Sequence, residues 1–272
     1  MSPRIVLDGP LGTELTRRGV PTSLPRWSAA AIDDAPGVIS AIHRDYAQAG
    51  ARVHTANTFR TTERAWGAGF ERVARRAVEL ARGAVPSDHR VAGSLAPLED
   101  CYRPDLSPGG GAEVEREHAA LAEVLADAGC DLLLCETFPR VDEALAAARA
   151  ALATGLPTWL ALSAGYEGDL LGAEALADGA RRAVELGVEA VLVNCTPTAQ
   201  TAALLEPLAS LGVPFGAYAN AGVADAESGF EPRPDTPERY AAAAGSWIDL
   251  GATILGGCCG TGPAHIRALA TL

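Results

Sequence analysis

The feature that most constrains the fold is an alternation of two kinds of segment along the 272 residues. Short runs of apolar, β-branched or small residues recur eight times, and longer segments rich in Ala, Leu, Arg and Glu with helical periodicity lie between them. The predicted strands are 5–9, 51–57, 90–96, 131–137, 157–164, 190–195, 214–220 and 253–258. The predicted helices are 37–50, 62–83, 112–129, 140–154, 173–187, 198–211, 236–250 and 263–271. This order predicts an α/β fold with a parallel sheet.

Eight βα units in about 250 residues are typical of a single (β/α)8 TIM barrel, and an open doubly wound sheet is the alternative. The continuous apolar runs at 132–134 and 191–193 agree with strands covered on both faces. Several predicted helices end on glycine, among them Gly50 and Gly187, as expected for left-handed helix caps. We favour the barrel. Because no Pro/Gly-rich linker separates two cores, we expect residues 1–272 to form one domain.

Charge and lysine content exclude several functions. The chain carries 22 basic and 34 acidic residues, a formal charge of −12, so no nucleic-acid partner is expected. All the basic residues are arginine, which excludes Schiff-base chemistry, a pyridoxal phosphate linkage and a Walker-type phosphate loop. No apolar stretch approaches the ~20 residues of a membrane span, and no signal-peptide pattern precedes the first strand. We therefore expect no membrane contact and a cytoplasmic location.

Polar residues end several of the predicted strands, and in a barrel these ends form the working face. Strand one ends near Asp8, strand four near Glu136, strand six at Cys195, and strand eight at Cys258 and Cys259. Three of the six cysteines therefore fall at one end of the sheet. In a reducing compartment, cysteines are better explained by burial, metal binding or catalysis than by a disulfide framework.

The three strand-end cysteines have the composition of an open zinc site. Sulfur ligands select Zn²⁺ among common divalent ions, and a catalytic zinc keeps one position for substrate. Neighbouring residues on a regular strand point to opposite faces, so Cys258 and Cys259 require a distorted strand end. Gly256, Gly257 and Gly260 supply the backbone freedom for it. The alternatives are buried core thiols or a strained disulfide between the adjacent cysteines.

The remaining cysteines and the histidines receive no functional role. Cys130 and Cys135 are interpreted as packing residues, and Cys101 as an exposed or loop thiol. His54, on the second strand, is interpreted as an ordinary barrel histidine with satisfied hydrogen bonds. The other histidines fall on predicted helices or helix-to-strand loops, away from the predicted working face: His43, His89, His118 and His265.

Six motifs together resemble the homocysteine S-methyltransferase family of zinc-dependent barrels, over nearly the whole chain. They are DGPLGTEL at 8–15, TANTF at 55–59, ET at 136–137, VNC at 193–195, YANAG at 218–222 and GGCCGT at 256–261. The combination of NC and GGCCG is the specific part. The resemblance implies that Cys195, Cys258 and Cys259 bind Zn²⁺ and that the thiol of homocysteine takes the open position. It also implies that Asp8 and Glu136 hold the amino-acid end of homocysteine, with helix capping as the alternative.

Further residues of these motifs are candidate substrate contacts: Asn57, Thr58, Tyr218 and Asn220. The polar segment 93–105, after the third strand, is expected to help select the methyl donor, with a salt-bridged loop as the alternative. Pro10 and Ala219 depart from the family pattern, which commonly has Gly and Pro there, but neither is a proposed ligand. Phe59 lacks the hydroxyl found in some betaine-using relatives, which disfavours betaine as the donor.

The resemblance implies an enzyme that transfers a methyl group from a small sulfonium or ammonium donor to the thiolate of L-homocysteine, giving methionine. Zn²⁺ is the implied cofactor, and small-molecule substrates are the implied partners. Two alternatives stay open. One is a zinc-thiolate methyltransferase for another small thiol or selenol, and the other is a barrel that accepts a methyl group from a separate corrinoid protein.

Overall fold

The computed structural model describes residues 4–221 and 235–272, so Gly222 of the YANAG motif lies outside the described residues. The strands are β1 (Ile5–Val6), β2 (Val53–Thr55), β3 (Arg90–Leu95), β4 (Leu132–Phe138), β5 (Thr158–Leu162), β6 (Ala190–Pro197), β7 (Phe215–Asn220) and β8 (Ile254–Gly257). The helices are α1 (Leu11–Arg17), α2 (Ala31–Asp34), α3 (Pro36–Ala49), α4 (Glu63–Trp66), α5 (Phe70–Arg82), α6 (Ala112–Asp127), α7 (Val141–Ala153), α8 (Ala173–Leu186), α9 (Thr198–Leu205), α10 (Pro237–Asp249) and α11 (Pro263–Leu269). In this part of the chain no helix is both long and apolar enough to cross a membrane.

Each predicted strand coincides with an observed strand, and the differences lie in the helices. The predicted helix 62–83 is divided into α4 and α5 by a 3₁₀ turn at Gly67–Gly69. The predicted helix 198–211 is α-helical only to Leu205 and continues as a 3₁₀ helix over Glu206–Ser210. The helices α1 and α2 were not predicted, because seven and four residues are too few to show a helical period.

The eight strands form one parallel sheet that closes on itself. Their order is β1-β8-β7-β6-β5-β4-β3-β2, so β1 and β2 would be the two edges of an open sheet. Instead, Leu7 forms a parallel bridge with Val53. The Arg52 amide donates to the Val6 carbonyl at 2.8 Å, and the Asp8 amide donates to the Val53 carbonyl at 3.0 Å. These bonds close the barrel, which confirms the predicted (β/α)8 fold over the open sheet.

Apolar side chains pack on both faces of the sheet, in one layer outside the barrel and one inside it. A large cluster between the strands and the surrounding helices includes Tyr46 of α3 and Trp247 of α10. A smaller cluster fills the barrel interior: Leu7, Val53, Ala92, Leu132, Leu134, Trp159, Ala161, Ala190, Leu192, Cys195, Tyr218, Ile254, Cys258 and Cys259. The three strand-end cysteines therefore belong to the interior layer, at the end of the barrel where the strands terminate.

Candidate active site and metal centre

A cavity of about 300 Å³ opens at the C-terminal ends of the strands. Seven of the nine residues predicted to form the site line it: Asp8, Asn57, Glu136, Cys195, Tyr218, Cys258 and Cys259. The other two, Thr58 and Asn220, are buried but do not line it. The barrel thus brings together residues that are up to 251 positions apart in sequence, from Asp8 to Cys259.

The three strand-end cysteines form a compact group of sulfur atoms. All three Sγ atoms lie within 4.8 Å of one another, and all three side chains are buried. The Sγ atoms of Cys258 and Cys259 are 3.9 Å apart. Two sulfurs on one tetrahedral zinc are roughly 3.8 Å apart, given Zn–S bonds of ~2.3 Å. The spacing of Cys258 and Cys259 therefore suits two ligands of one metal ion, with Cys195 close enough to be a third.

Two of these sulfurs are joined in this structure. Cys195 and Cys258 form a disulfide, with their Cα atoms 5.6 Å apart, whereas Cys259 is a free thiol. This pairing is not among the possibilities that the sequence suggested, which were three zinc-binding thiolates, buried core thiols or a bond between the adjacent cysteines. The strand ends hold the cysteines of β6 and β8 close enough to bond, so metal binding by all three requires the reduced form. Burial raises the pKa of the Cys259 thiol to about 12, which makes a positive charge necessary for its ionisation near neutral pH.

Backbone irregularities at the ends of β4 and β6 aim the side chains there. The pairing of β6 with β7 shifts register between Asn194 and Pro197, and Cys195 has a positive φ of 48°. The pairing of β4 with β5 shifts in the same way, and Thr137 has a φ of 64°. Positive φ is strained for residues other than glycine and concentrates at functional sites.

Asn194 joins these two irregular strand ends. Its Oδ1 accepts from the Thr137 amide at 3.0 Å, and its Nδ2 donates to Thr137 Oγ1 at 2.7 Å. The Thr137 hydroxyl lies 3.9 Å from Cys195 Sγ. Thr137 and Asn194 both lie in the family motifs, but their pattern alone predicted no role for them. They hold the backbone that carries Cys195.

The two adjacent cysteines follow β8 rather than continue it. The strand ends at Gly257, and the Cys258 amide donates to the Ala219 carbonyl at 2.9 Å. The Thr261 amide donates a hydrogen bond to the Cys258 carbonyl at 3.1 Å, which closes a turn. Gly260 in this turn has a φ of 81°, a region that favours glycine. A turn at this point removes the strand alternation, and so both sulfurs reach the cavity, as the distorted strand end required.

Two buried carboxyl groups face the same cavity. Glu136 Oε1 accepts from the Ser94 hydroxyl at 2.5 Å, and Oε2 accepts from the Tyr218 hydroxyl at 3.0 Å. Asp8 Oδ2 accepts from the Thr55 amide at 2.9 Å, and Oδ1 accepts from the Thr55 hydroxyl at 3.2 Å. Burial raises the pKa of both carboxyl groups above their ordinary values, and the nearby charge of Glu136 raises the pKa of Asp8 further. A cationic group entering the cavity would reverse this effect by pairing with them.

Two other predicted substrate contacts, Asn57 and Thr58, differ in whether they line the cavity. Asn57 lines it and exchanges two hydrogen bonds of 2.8 Å with Ser28, through the hydroxyl and the carbonyl of that residue. Thr58 bonds to the backbone of Ser94 in both directions, at 2.9 and 3.0 Å. Ser94 in turn donates to Glu136. Thr58 therefore supports the site from behind, through Ser94 and through its amide bond to the carbonyl of Ala56, which lines the cavity.

Four aromatic rings form part of the cavity wall. Trp27 and Phe59 pack edge to face with ring centroids 5.6 Å apart. Tyr102 and Tyr166 are stacked with ring centroids 3.6 Å apart. Aromatic faces attract cations such as sulfonium and quaternary ammonium groups. This wall can therefore hold a positively charged methyl donor.

The segment 93–105 contributes to this wall and also forms salt bridges. Asp100, Cys101 and Tyr102 line the cavity, so Cys101 is part of the site wall as well as a loop thiol. Arg103 pairs with Asp105 at 2.6 Å on the surface of the same segment. The salt bridge agrees with the salt-bridged loop, and a role of this segment in selecting the methyl donor stays a prediction.

The fold and the cavity define a (β/α)8 barrel with a cysteine-lined site at the C-terminal face of the strands. A sequence model of the homocysteine S-methyltransferase family matches residues 5–272. The chain belongs to the homocysteine S-methyltransferase family, as the motifs predicted. It is 32% identical to the homocysteine S-methyltransferase of Escherichia coli (strain K12), over 97% of this chain and 94% of that protein. It is 31% identical to the homocysteine S-methyltransferase YbgG of Bacillus subtilis, over 98% of this chain and 94% of that protein.

Solved structures agree with this assignment. The metallated form of the homocysteine methyltransferase MmuM from Escherichia coli superimposes with a TM-score of 0.82 and 29% identity, covering 98% of this chain and 96% of that one. The oxidized form of the same protein gives a TM-score of 0.81 and 30% identity, covering 98% and 95%. The family therefore includes a structure with bound metal, in a fold that this chain shares.

Proposed function

We propose that the protein transfers a methyl group from a small sulfonium or ammonium donor to the thiolate of L-homocysteine, giving methionine. The observation that carries this proposal is the grouping of Cys195, Cys258 and Cys259 within 4.8 Å, on the wall of a cavity that also exposes Asp8 and Glu136. Three sulfurs suit a thiol-activating metal, and two carboxyl groups suit an amino acid's ammonium group. Membership of the family supports the same reaction.

The metal that we propose for this site is Zn²⁺, held by the reduced forms of Cys195, Cys258 and Cys259. The donor set is all sulfur, which favours zinc over harder cations. A fourth position left to the substrate distinguishes such a site from a structural one with four protein ligands. Bound Zn²⁺ would favour the thiolate form of a coordinating sulfur, whose ordinary pKa of ~8.5 leaves only a few per cent ionised at pH 7.

The acceptor's amino group is proposed to bind between Asp8 and Glu136. Both carboxyl groups are buried and have raised pKa values, so an entering ammonium group gains charge-assisted hydrogen bonds as they ionise. Tyr218 and Asn57 line the cavity beside them and complete this part of the proposed binding site. Thr58 and Asn220, which lie behind the wall, would contribute through the positions of their neighbours.

The methyl donor is proposed to occupy the aromatic side of the cavity. Trp27, Phe59, Tyr102 and Tyr166 would face the positive charge of a sulfonium, and Asp100 adds a carboxylate to this side. A donor held there would share one cavity with the three cysteine sulfur atoms. Holding both reactants in one geometry contributes up to several kcal/mol toward the transfer.

We also propose that residues 1–272 form a single domain and that the protein works in the cytoplasm. The family match over residues 5–272 supports the first proposal. The requirement for three reduced cysteines supports the second, because thiols persist in a reducing compartment. Small-molecule substrates are the partners that this function requires.

The test is a donor panel assayed by mass spectrometry. Reduced, zinc-loaded protein is incubated with L-homocysteine and, in turn, S-methylmethionine, S-adenosylmethionine, a dimethylsulfonium compound or betaine. We expect methionine with at least one sulfonium donor and none from zinc-depleted protein. Methionine formed from a small donor alone would also exclude a need for a separate corrinoid protein. Absence of methionine with every donor would contradict the proposal.

A selenol acceptor is a second candidate with its own observation. The chain is 27% identical to the selenocysteine Se-methyltransferase of Brassica oleracea var. italica, over 97% of this chain and 87% of that protein. The same sulfur-rich site could bind a selenolate in place of a thiolate. The donor panel is therefore repeated with selenocysteine, and methylation of selenocysteine without methylation of homocysteine would favour this second function.

A further inference from the structure

Asp8 also belongs to a second cluster of polar side chains, which is separate from the three cysteines. Asp8, His43 and His54 each bring a nitrogen or oxygen atom within 4.8 Å of the others, and all three are buried. His43 is on α3 and His54 is on β2. His43 was predicted to lie away from the working face, but α3 packs against the barrel so that His43 Nδ1 lies 4.0 Å from Asp8 Oδ2.

The histidines in this cluster have unused hydrogen-bonding capacity. Within residues 4–221 and 235–272, neither ring nitrogen of His43 has a hydrogen-bond partner, and the same is true of Nδ1 of His54. Buried polar atoms are nearly always paired, so an unpaired group in a native protein calls for an explanation. Burial lowers the pKa of His43 to about 4 and that of His54 to about 3, so both rings are neutral at pH 7.

Arg52 sets the direction of the hydrogen bonds in this region. An arginine can only donate, and its Nη1 lies 2.8 Å from His89 Nε2, which must therefore accept. The neutral His89 ring then carries its proton on Nδ1 and donates to His54 Nε2 at 3.0 Å. It follows that His54 carries its own proton on Nδ1. This nitrogen has no free lone pair, which disfavours the cluster as a metal site.

His43 lies next to the carboxyl group of Asp8. The group that faces His43 Nδ1 is the Asp8 carboxyl, which in its ionised form can only accept. A neutral His43 with its proton on Nδ1 offers an N–H to Asp8 Oδ2, and closing the 4.0 Å separation to hydrogen-bond distance needs a shift of about 1 Å. The Thr55 amide also donates to Asp8 Oδ2, from β2, the strand that pairs next to Asp8 where the barrel closes.

We propose that His43 is a positioning residue for Asp8: its ring N–H orients the carboxylate and stabilises the ionised form that receives the ammonium group of the acceptor. This inference rests on the proposed function of Asp8 in binding that group. His43 does not touch the substrate, so its effect is on acceptor binding rather than on methyl transfer. It makes the enzyme more selective for thiols that carry an amino group.

The test compares two acceptors in the His43→Phe variant. Phenylalanine fills nearly the same volume and removes the ring N–H that faces Asp8, and the imidazole has no hydrogen bond to any other described residue that would be lost with it. The acceptors are L-homocysteine and 4-mercaptobutyrate, which keeps the thiol and the carboxylate but lacks the amino group. We expect KM for homocysteine to rise about tenfold with kcat unchanged, and KM for 4-mercaptobutyrate to stay the same. A merely structural role would raise both KM values together, and that result would overturn the proposal.

Three further measurements make the result decisive. His43→Gln restores an N–H donor and should recover part of the affinity for homocysteine. His118→Phe removes another buried imidazole, on α6, and should leave the ratio of the two KM values unchanged. Zinc content should be equal in wild type and His43→Phe. Loss of one equivalent of zinc in His43→Phe would assign the cluster as a metal site and overturn the positioning role.

The outcome is separable from that of the proposed function. If wild type forms no methionine, the dissociation constants of the two thiols, measured by calorimetry, replace KM in the same comparison. If wild type forms methionine and His43→Phe weakens both thiols equally, the proposed function stands and the role of His43 is wrong.

Discussion

The hydrogen bond between Tyr218 and Glu136 offers the sharpest test of the acceptor site. The Tyr218 hydroxyl donates to Glu136 Oε2 at 3.0 Å, in a fully buried environment. Burial raises the pKa of Glu136, and the bonds from Ser94 and Tyr218 lower it. Tyr218→Phe removes one of these two bonds and leaves the ring in place. The ionised form of Glu136 then loses a donor that the protonated form does not need.

The expected size of the effect follows from this geometry. A hydrogen bond to a charged group contributes about 1.5–3 kcal/mol, which corresponds to roughly ten- to hundredfold in binding. The pKa of Glu136 should rise by about one to two units in Tyr218→Phe. Because the substrate's ammonium group needs the ionised carboxylate, KM for homocysteine increases as pH falls through the Glu136 pKa. In the variant this increase should begin at a higher pH.

The assay is the initial rate of methionine formation between pH 5.5 and 9, with homocysteine varied at a saturating donor concentration. Tyr240→Phe is the matched control. Its hydroxyl oxygen lies 2.9 and 2.8 Å from the Ala219 and Gly256 carbonyl oxygens, which share its one hydrogen, and Tyr240 does not line the cavity. That control should lose about 1 kcal/mol of stability without a change in the pH dependence of KM. A Tyr218→Phe variant with the wild-type pH dependence, or with an equal change for 4-mercaptobutyrate, would refute this account of Glu136.

Three more perturbations test the remaining parts of the site. Cys259→Ser should abolish zinc binding and activity while the melting temperature of the metal-free protein changes little, and unfolding would instead indicate a structural metal. Asn194→Ala removes both bonds to Thr137 and should weaken zinc binding about 10- to 100-fold, measured by competition with a chelator; unchanged affinity would contradict the bracing of Cys195. Asp8→Asn should raise KM for homocysteine about 100-fold or more and also stabilise the fold at pH 8. The pKa of Asp8 is raised on folding, so its ionisation costs stability as pH rises above ~3.9, and the difference in melting temperature should vanish below that pH.

The sequence alone determined the order of the elements and the chemistry at their ends. Apolar runs at eight regular intervals predict a barrel because each run must be covered on both faces. Asp8, Glu136, Cys195, Cys258 and Cys259 were identifiable because strand ends in a parallel barrel share one face. All five line the cavity. These inferences depend only on local pattern and on a rule that holds for the whole fold class.

The tertiary structure decided what no local pattern encodes. The closure of the sheet depends on the bridge between Leu7 and Val53, which are 46 residues apart. The bracing of Cys195 by Asn194 and Thr137 depends on irregularities in two strands that pair through a third. His43 reaches Asp8 only because α3 packs on the outside of the barrel at that height. Side-chain contacts between distant segments depend on packing angles and strand register, which are properties of the assembled barrel. The periodicity of the sequence predicts only which face of each segment is buried.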